Sequence, residues 1–217
     1  MRPKSGRLTR EKLLDTAEAL ILDRGYAATS IDQIIDTVGM TKGAFFYHFK
    51  TKNHLARALI DRWAAGDRRV LHGNMERAEK LSDDPLQQVL IFAGLAIDLA
   101  EQLDRLPQPG CLFATYCFER GLFGPEINDV IRDAMLEWRR VIGVKLHAAA
   151  EVRPPRFEVD LASLADLMTV VFEGAFVLSR SVGGRDIFAS QLRHYRTYLR
   201  LVFDVTPMAP GAPRRER

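Results

Sequence analysis

The stretch "TSIDQIIDTVGMTKGAFFYHFKTK", residues 29–52, contains two helix starts separated by one glycine turn. Ser30 followed by Gln33 forms a capping box: the serine side chain accepts from the third helical amide while the glutamine reaches back to the serine amide. Ile31, Ile34, Ile35 and Val38 then recur at helical spacing and give a short helix one apolar side. Gly39 supplies the left-handed residue that ends it, and Thr41 can cap a second short helix from Lys42 to about His48. Upstream, Leu13, Leu14, Ala17, Leu20 and Ile21 form the stripe of a supporting helix that stops at "DRGY", with Gly25 suited to a left-handed cap. Two short helices joined by a tight glycine turn behind a third make a helix-turn-helix.

Phe45, Phe46 and Tyr47 are consecutive, so at about 100° per residue they cannot share a helix face. Phe45 and Phe49, four apart, can point inward together, which leaves Phe46 and Tyr47 facing out. The surroundings are basic: no acidic residue lies between Thr37 and Ile60, whereas Lys42, Lys50, Lys52 and Arg57 do, with His48 and His54. An exposed aromatic helix in a basic segment suits a DNA major groove, whose thymine methyl attracts apolar groups. Phe46 is expected to face the bases. Thr41, Tyr47, His48 and the open amides at the helix start, around Gly43 and Ala44, can donate to phosphates. Lys52, opening the next helix, is expected to reach the same backbone.

The charge balance agrees. The chain has 217 residues and a formal charge of +3, but residues 1–66 hold 11 Lys and Arg against 7 Asp and Glu, and the remainder 20 against 21. A basic front module and a nearly neutral back module place the polyanion contact at the front. With 47% hydrophobic residues the chain is of ordinary globular composition. The N-terminus lacks a signal-like apolar segment and no unbroken apolar run reaches about 18 residues, so a cytoplasmic protein that does not engage a membrane is expected. Cys111 and Cys117 fit neither a disulfide framework nor a zinc pattern. No Ser/His/Asp spacing, phosphate-binding glycine loop, HExxH or CxxC occurs, and the expectation is a non-enzyme without metal or cofactor.

Prolines at 85, 107, 109, 125, 154 and 155 divide the rest into helices, and no alternating strand pattern appears. The expected fold is all-α, with helices over 52–80, from Pro85, over the short "CLFATYCF" segment, from Pro125 to about Glu151, over 160–182 and over 187–203. His72 and Glu76, four apart, read as a surface pair. The last two helices are apolar on more than one side, through residues such as Ala175, Leu178, Leu192 and Tyr195, and the surplus face predicts a homodimer through them. The tail "TPMAPGAPRRER" reads as disordered.

"GYAATSIDQIIDTVGMTKGAFFYHFKTKNHL" resembles the DNA-binding domain of TetR-type repressors, through its glycine, threonine-serine pair, isoleucine-rich helix, Lys-Gly, aromatics, His-Phe and lysine. The resemblance implies that Thr41, Lys42, Tyr47, His48 and Lys52 contact DNA, and that the first helix of the motif docks through its N-terminus near Thr29 and Ser30. It implies a helix-turn-helix domain over 7–67 (motif 30–49) and a ligand-binding and dimerisation domain over 68–205, followed by the tail over 206–217. It also implies a homodimeric repressor on a pseudo-palindromic operator, released by a small-molecule inducer. A mostly apolar pocket is expected from segments around 86–102, 111–119, 134–146 and 164–180. Cys111, Phe172 and Phe176 are expected in its lining, with Tyr116, Glu173, Ser179 and Arg180 as polar candidates. "GCL" resembles a branch of the family in which a cysteine senses electrophiles. That leaves redox sensing as the alternative, alongside a helical protein without effector response.

Overall fold

Local capping sets where each short helix begins. The computed structural model describes residues 3–103, 110–183 and 186–203, and those residues are helical with no strand among them. The supporting helix α1 spans Pro3–Arg24, starting earlier than the apolar stripe alone suggested because Pro3 is tolerated in a first turn. Gly25, at φ 88°, turns the chain out of it. Helix α2 (Ile31–Val38) opens on the expected box: Ser30 Oγ accepts from the Gln33 amide at 3.1 Å, and Gln33 Oε1 accepts from the Ser30 amide at 2.8 Å. Gly39, at φ 72°, closes it, donating its amide to the Ile35 and Asp36 carbonyls. Helix α3 (Lys42–His48) is capped by Thr41, whose Oγ1 accepts from the Ala44 amide at 3.3 Å. Phe45 and Phe49 are fully buried, as their spacing predicted.

The 30-residue α4 (Lys52–Leu81) carries this module into a bundle. The bundle consists of α5 (Pro85–Leu103), the short α6 (Leu112–Phe118), a 3₁₀ turn over Arg120–Leu122, α7 (Pro125–Val152), α8 (Leu161–Val182) and α9 (Ile187–Val202). Asp84 caps α5 by accepting from the Leu86 amide at 2.8 Å. Pro125 opens α7 after Gly124. Helix α5 packs against α4, α7 and α9, while α8 packs on α7 and α9. The expected break over 105–110 lies outside the described residues except for Gly110; Gly184, Arg185 and the 206–217 tail lie outside them entirely.

The last two helices differ from expectation in which residues are spare. On α9, Phe188, Leu192, Tyr195, Leu199 and Val202 all face inward, and Ala175 of α8 is buried as well. These residues belong to the core of one chain. The surplus apolar face lies mainly on the other side of α8, where Val170, Val177, Leu178 and Val182 are exposed, with Leu201 of α9 also exposed. By length and composition α8 could cross a membrane, although Asp166, Glu173 and Arg180 interrupt its apolar run.

Phe45→Ala removes a fully buried ring from the contact between α3 and its supports. It is expected to destabilise the protein by about 3–5 kcal/mol in chemical denaturation, while Phe46→Ala, at a ring 41% exposed, costs far less.

Candidate nucleic-acid interface and internal cavity

Helix α3 presents an arc made of Lys42, Gly43, Phe46 and Tyr47, on the side opposite Phe45 and Phe49. Tyr47 is 77% exposed, and its ring stands edge-on to His48 at 5.0 Å. Phe46 rests against Phe45 at 5.3 Å, so one edge is held and the other is open. Lys42 pairs with Asp32 of α2 at 2.8 Å. Both side chains are exposed, so the pair is weak and a phosphate can compete for the lysine. Ser30 and Thr41 are exposed caps, and the Gly43 and Ala44 amides lie in the first turn of α3.

Two expected DNA contacts are placed elsewhere. Thr29 is completely buried, and its hydroxyl donates to the Gly25 carbonyl at 2.8 Å, so its side chain closes the α1–α2 turn. The ammonium of Lys52 is not free. It donates to the Tyr26 carbonyl and sits over the Tyr26 ring, 4.0 Å from its centroid, and burial lowers its pKa. Both residues serve the turn at Gly25–Ala27. Glu119, just after α6, grips the same turn: its two oxygens accept from the Tyr26 and Ala27 amides at 2.8 and 2.6 Å. A Cβ at Gly25 would sit 2.5 Å from Glu119 Oε1, so only glycine leaves room for this grip.

Behind the turn lies a cavity of about 500 Å³, within the range of drug-sized ligand sites. Of the expected ligand residues, Cys111, Phe172, Glu173 and Phe176 line it. Tyr116 does not: it stacks on Phe123 at 4.4 Å beside Tyr26, under the turn. Ser179 is also absent from the lining, its carbonyl accepting from the Gly183 amide at the end of α8. Arg180 is an anchor outside the cavity, donating to the Leu22 and Asp23 carbonyls at 2.7 and 2.5 Å and so satisfying the C-terminus of α1.

The family model for bacterial regulatory proteins, tetR family, matches residues 13–59. The probable HTH-type transcriptional regulator ArpR of Pseudomonas putida is 34% identical over 170 residues, covering 72% of this chain and 74% of ArpR. The chain belongs to the TetR family. Some curated relatives match over much less of their length: an uncharacterized HTH-type transcriptional regulator of Lactococcus lactis is 38% identical over only 38% of its own sequence. A TetR transcriptional regulator from Chloroflexus aurantiacus has the same fold, with a TM-score of 0.69 at 28% identity, covering 90% of this chain and 94% of that one. The reduced form of Escherichia coli NemR superposes with a TM-score of 0.66 at 19% identity, covering 87% and 95%, a likeness of fold alone. TetR-family regulators bind operator DNA and small-molecule effectors and form dimers.

In this TetR-family chain, all four expected segments contribute to the cavity wall, and what escaped the sequence reading is the share of α1 and α4. Trp63, Asp67, Val70 and Asn74 of α4 line it. They recur at i, i+4, i+7 and i+11, an aromatic and acidic stripe on an otherwise charged helix that could have marked it. Asp67 accepts from the Trp138 indole at 2.9 Å. One Glu173 oxygen is sealed from solvent without a hydrogen-bond partner, and the Cys111 thiol lies beside the carboxylate. Burial first, and the nearby Asp67 charge, raise the Glu173 pKa. Burial first, and then Glu173, push the Cys111 thiol well up, against forming a thiolate. His72 pairs with Glu137 of α7 at 3.0 Å, not with Glu76, and no metal-ligating cluster occurs among the described residues.

Glu173 holds its proton more tightly folded than unfolded, with Cys111, Cys117 and Asp67 as the titratable groups that interact with it. The contribution of Glu173 to stability is therefore greatest below the ordinary carboxyl pKa of about 4.3 and falls as pH rises from there through the raised folded value. Glu173→Gln removes that ionisation. Its melting temperature is expected to exceed wild type at pH 7, with the gap closing toward pH 4; a gap that is absent at pH 7 or independent of pH contradicts this.

Proposed function

We propose that the protein is a homodimeric operator-binding repressor, released when a small molecule occupies the cavity between α4 and α8. The observation that carries this reading is that cavity and DNA module share parts. Asp15 and Glu18 of α1, and Arg62 and Asp67 of α4, all reach the cavity wall, and Arg62 binds Glu11, Asp15 and Glu18, fastening α4 to the supporting helix. Short α6 spans the remaining gap. Cys111 and Phe113 at its start line the cavity, while Tyr116 and Glu119 at its end hold the Tyr26 turn. Moving α6 against α4 shifts that turn and, with it, α2 and α3. An occupant drives the shift only through its differential affinity for the released arrangement.

Dimerisation through the exposed valine side of α8 fits the two-fold symmetry of an operator, whose half-sites require two recognition helices at fixed separation. In the alternative reading, an electrophile modifies Cys111. Its buried thiol beside a carboxylate favours a lining role, and operator release by N-ethylmaleimide that disappears in Cys111→Ser would favour the alternative.

The test is operator binding by gel shift, using the protein's own upstream DNA, paired with size-exclusion chromatography. Tyr47→Ala is expected to remain a folded dimer and to bind about tenfold more weakly per half-site, the effect of one lost phosphate hydrogen bond. Val177→Arg, at a position 56% exposed in one chain, should leave the fold intact and give monomers that no longer shift the operator. Wild-type affinity in Tyr47→Ala, or a dimeric Val177→Arg, would contradict the reading.

A further inference from the structure

The cavity wall is aromatic and acidic in a way that selects among ligands. Three edge-on ring pairs surround it: Trp63 with Phe113 at 6.5 Å, Phe92 with Trp138 at 5.8 Å, and Phe172 with Phe176 at 5.5 Å. Among the described residues its only basic lining residue is Arg62, and that guanidinium is held by Glu11, Asp15 and Glu18. Two carboxylates on opposite helices, Asp67 of α4 and Glu173 of α8, form no salt bridge among the described residues, although the charge of Arg68 acts on Asp67. Asp67 takes one indole hydrogen bond, and one buried Glu173 oxygen has no hydrogen-bond partner at all. A buried carboxylate lacking a counter-charge is costly, and the usual resolution is protonation or a paired cation.

We propose that the ligand of this cavity is a lipophilic organic cation, with its positive centre set toward Asp67 and Glu173 and its apolar body against the ring pairs. This rests on the reading of the cavity as the effector site and names the chemistry of what enters it. Each feature contributes separately. Aromatic faces attract a desolvated ammonium through their quadrupoles, most strongly at tryptophan. The two carboxylates interact unfavourably across the cavity, and a cation near both replaces that repulsion with attraction. It also favours the ionised form of Glu173, reversing the effect of burial. A neutral ligand of the same shape gains the apolar contact alone, and an anion adds a third like charge. A cation attracted to both helices joins α4, which carries the DNA module, to α8 across the bundle, so the charge itself couples occupancy to the position of α4.

The chain's two tryptophans, Trp63 and Trp138, both line the cavity, so their fluorescence reports occupancy directly. The probes are three biphenyls with one ring system and different head groups: 4-biphenylmethyl-trimethylammonium, 4-biphenylmethanol and 4-biphenylacetate. In the full-length wild type the cation is expected to bind at least tenfold more tightly than the alcohol, with the carboxylate weakest. Glu173→Gln should cut the preference for the cation over the alcohol about tenfold, and the double variant with Asp67→Asn should abolish it. A cation that does not bind, an alcohol or carboxylate that binds equally well, or a preference surviving in the double variant overturns the proposal. If the variants fail to fold, the head-group order in the wild type decides. Operator release, scored separately by gel shift, distinguishes the two readings. A cation that binds with the operator still held keeps the charge assignment and removes the effector role. A neutral or anionic probe that binds and frees the operator does the reverse.

Discussion

The turn at Gly25–Ala27 is the constraint on which the rest of the molecule depends. Its left-handed glycine exposes two consecutive amides, Tyr26 and Ala27, and both are taken by one carboxylate, Glu119, from beyond α6. Its carbonyls are taken by Lys52 from the first turn of α4 and by the buried Thr29. The Tyr26 hydroxyl donates to Asn53 at 2.9 Å, and its ring is packed by Tyr116 and Phe123. Burial, and then the charge of Glu119, push the Tyr26 phenol up to about 12. The helix-turn-helix is thus set against α4 and α6 through a small, dense set of polar contacts, with Arg180 adding a second anchor at the end of α1.

This arrangement explains which parts were legible from sequence. The caps at Ser30 and Thr41, the glycine stops at 25 and 39, and the inward pair Phe45 and Phe49 are local signals, decided within one or two turns of helix. The bonds of Thr29, Lys52 and Arg180 were not legible because their partners are backbone carbonyls, which any sequence offers everywhere and no pattern marks. Glu119 was missed for the same reason, since its partners are amides 92 and 93 residues away. On α9, periodicity correctly identified an apolar stripe but could not say whether α5 or a second chain covers it. It is α5 that does so, leaving the valine side of α8 as the spare surface.

The cavity shows the same limit and one exception. Its rings come from five separate segments and meet only in three dimensions. Glu173, however, stood out in the sequence as a carboxylate between "VVF" and "GAF", and burial of one of its oxygens without a partner agrees with that oddity. A protein that keeps such a group gives up some stability, and functional sites are where such costs concentrate.

In the repressor reading proposed above, the cavity and the helix-turn-helix are coupled through the grip of Glu119 on the Tyr26 turn. Binding linkage is reciprocal, so operator binding must in turn bias the cavity. The most direct measurement is tryptophan emission, excited selectively, during operator titration of wild type and Glu119→Gln. The account predicts a saturable emission change in the wild type that largely disappears in Glu119→Gln while the DNA complex still forms. Operator saturation with no emission change in the wild type, or an equal change in both proteins, would contradict it.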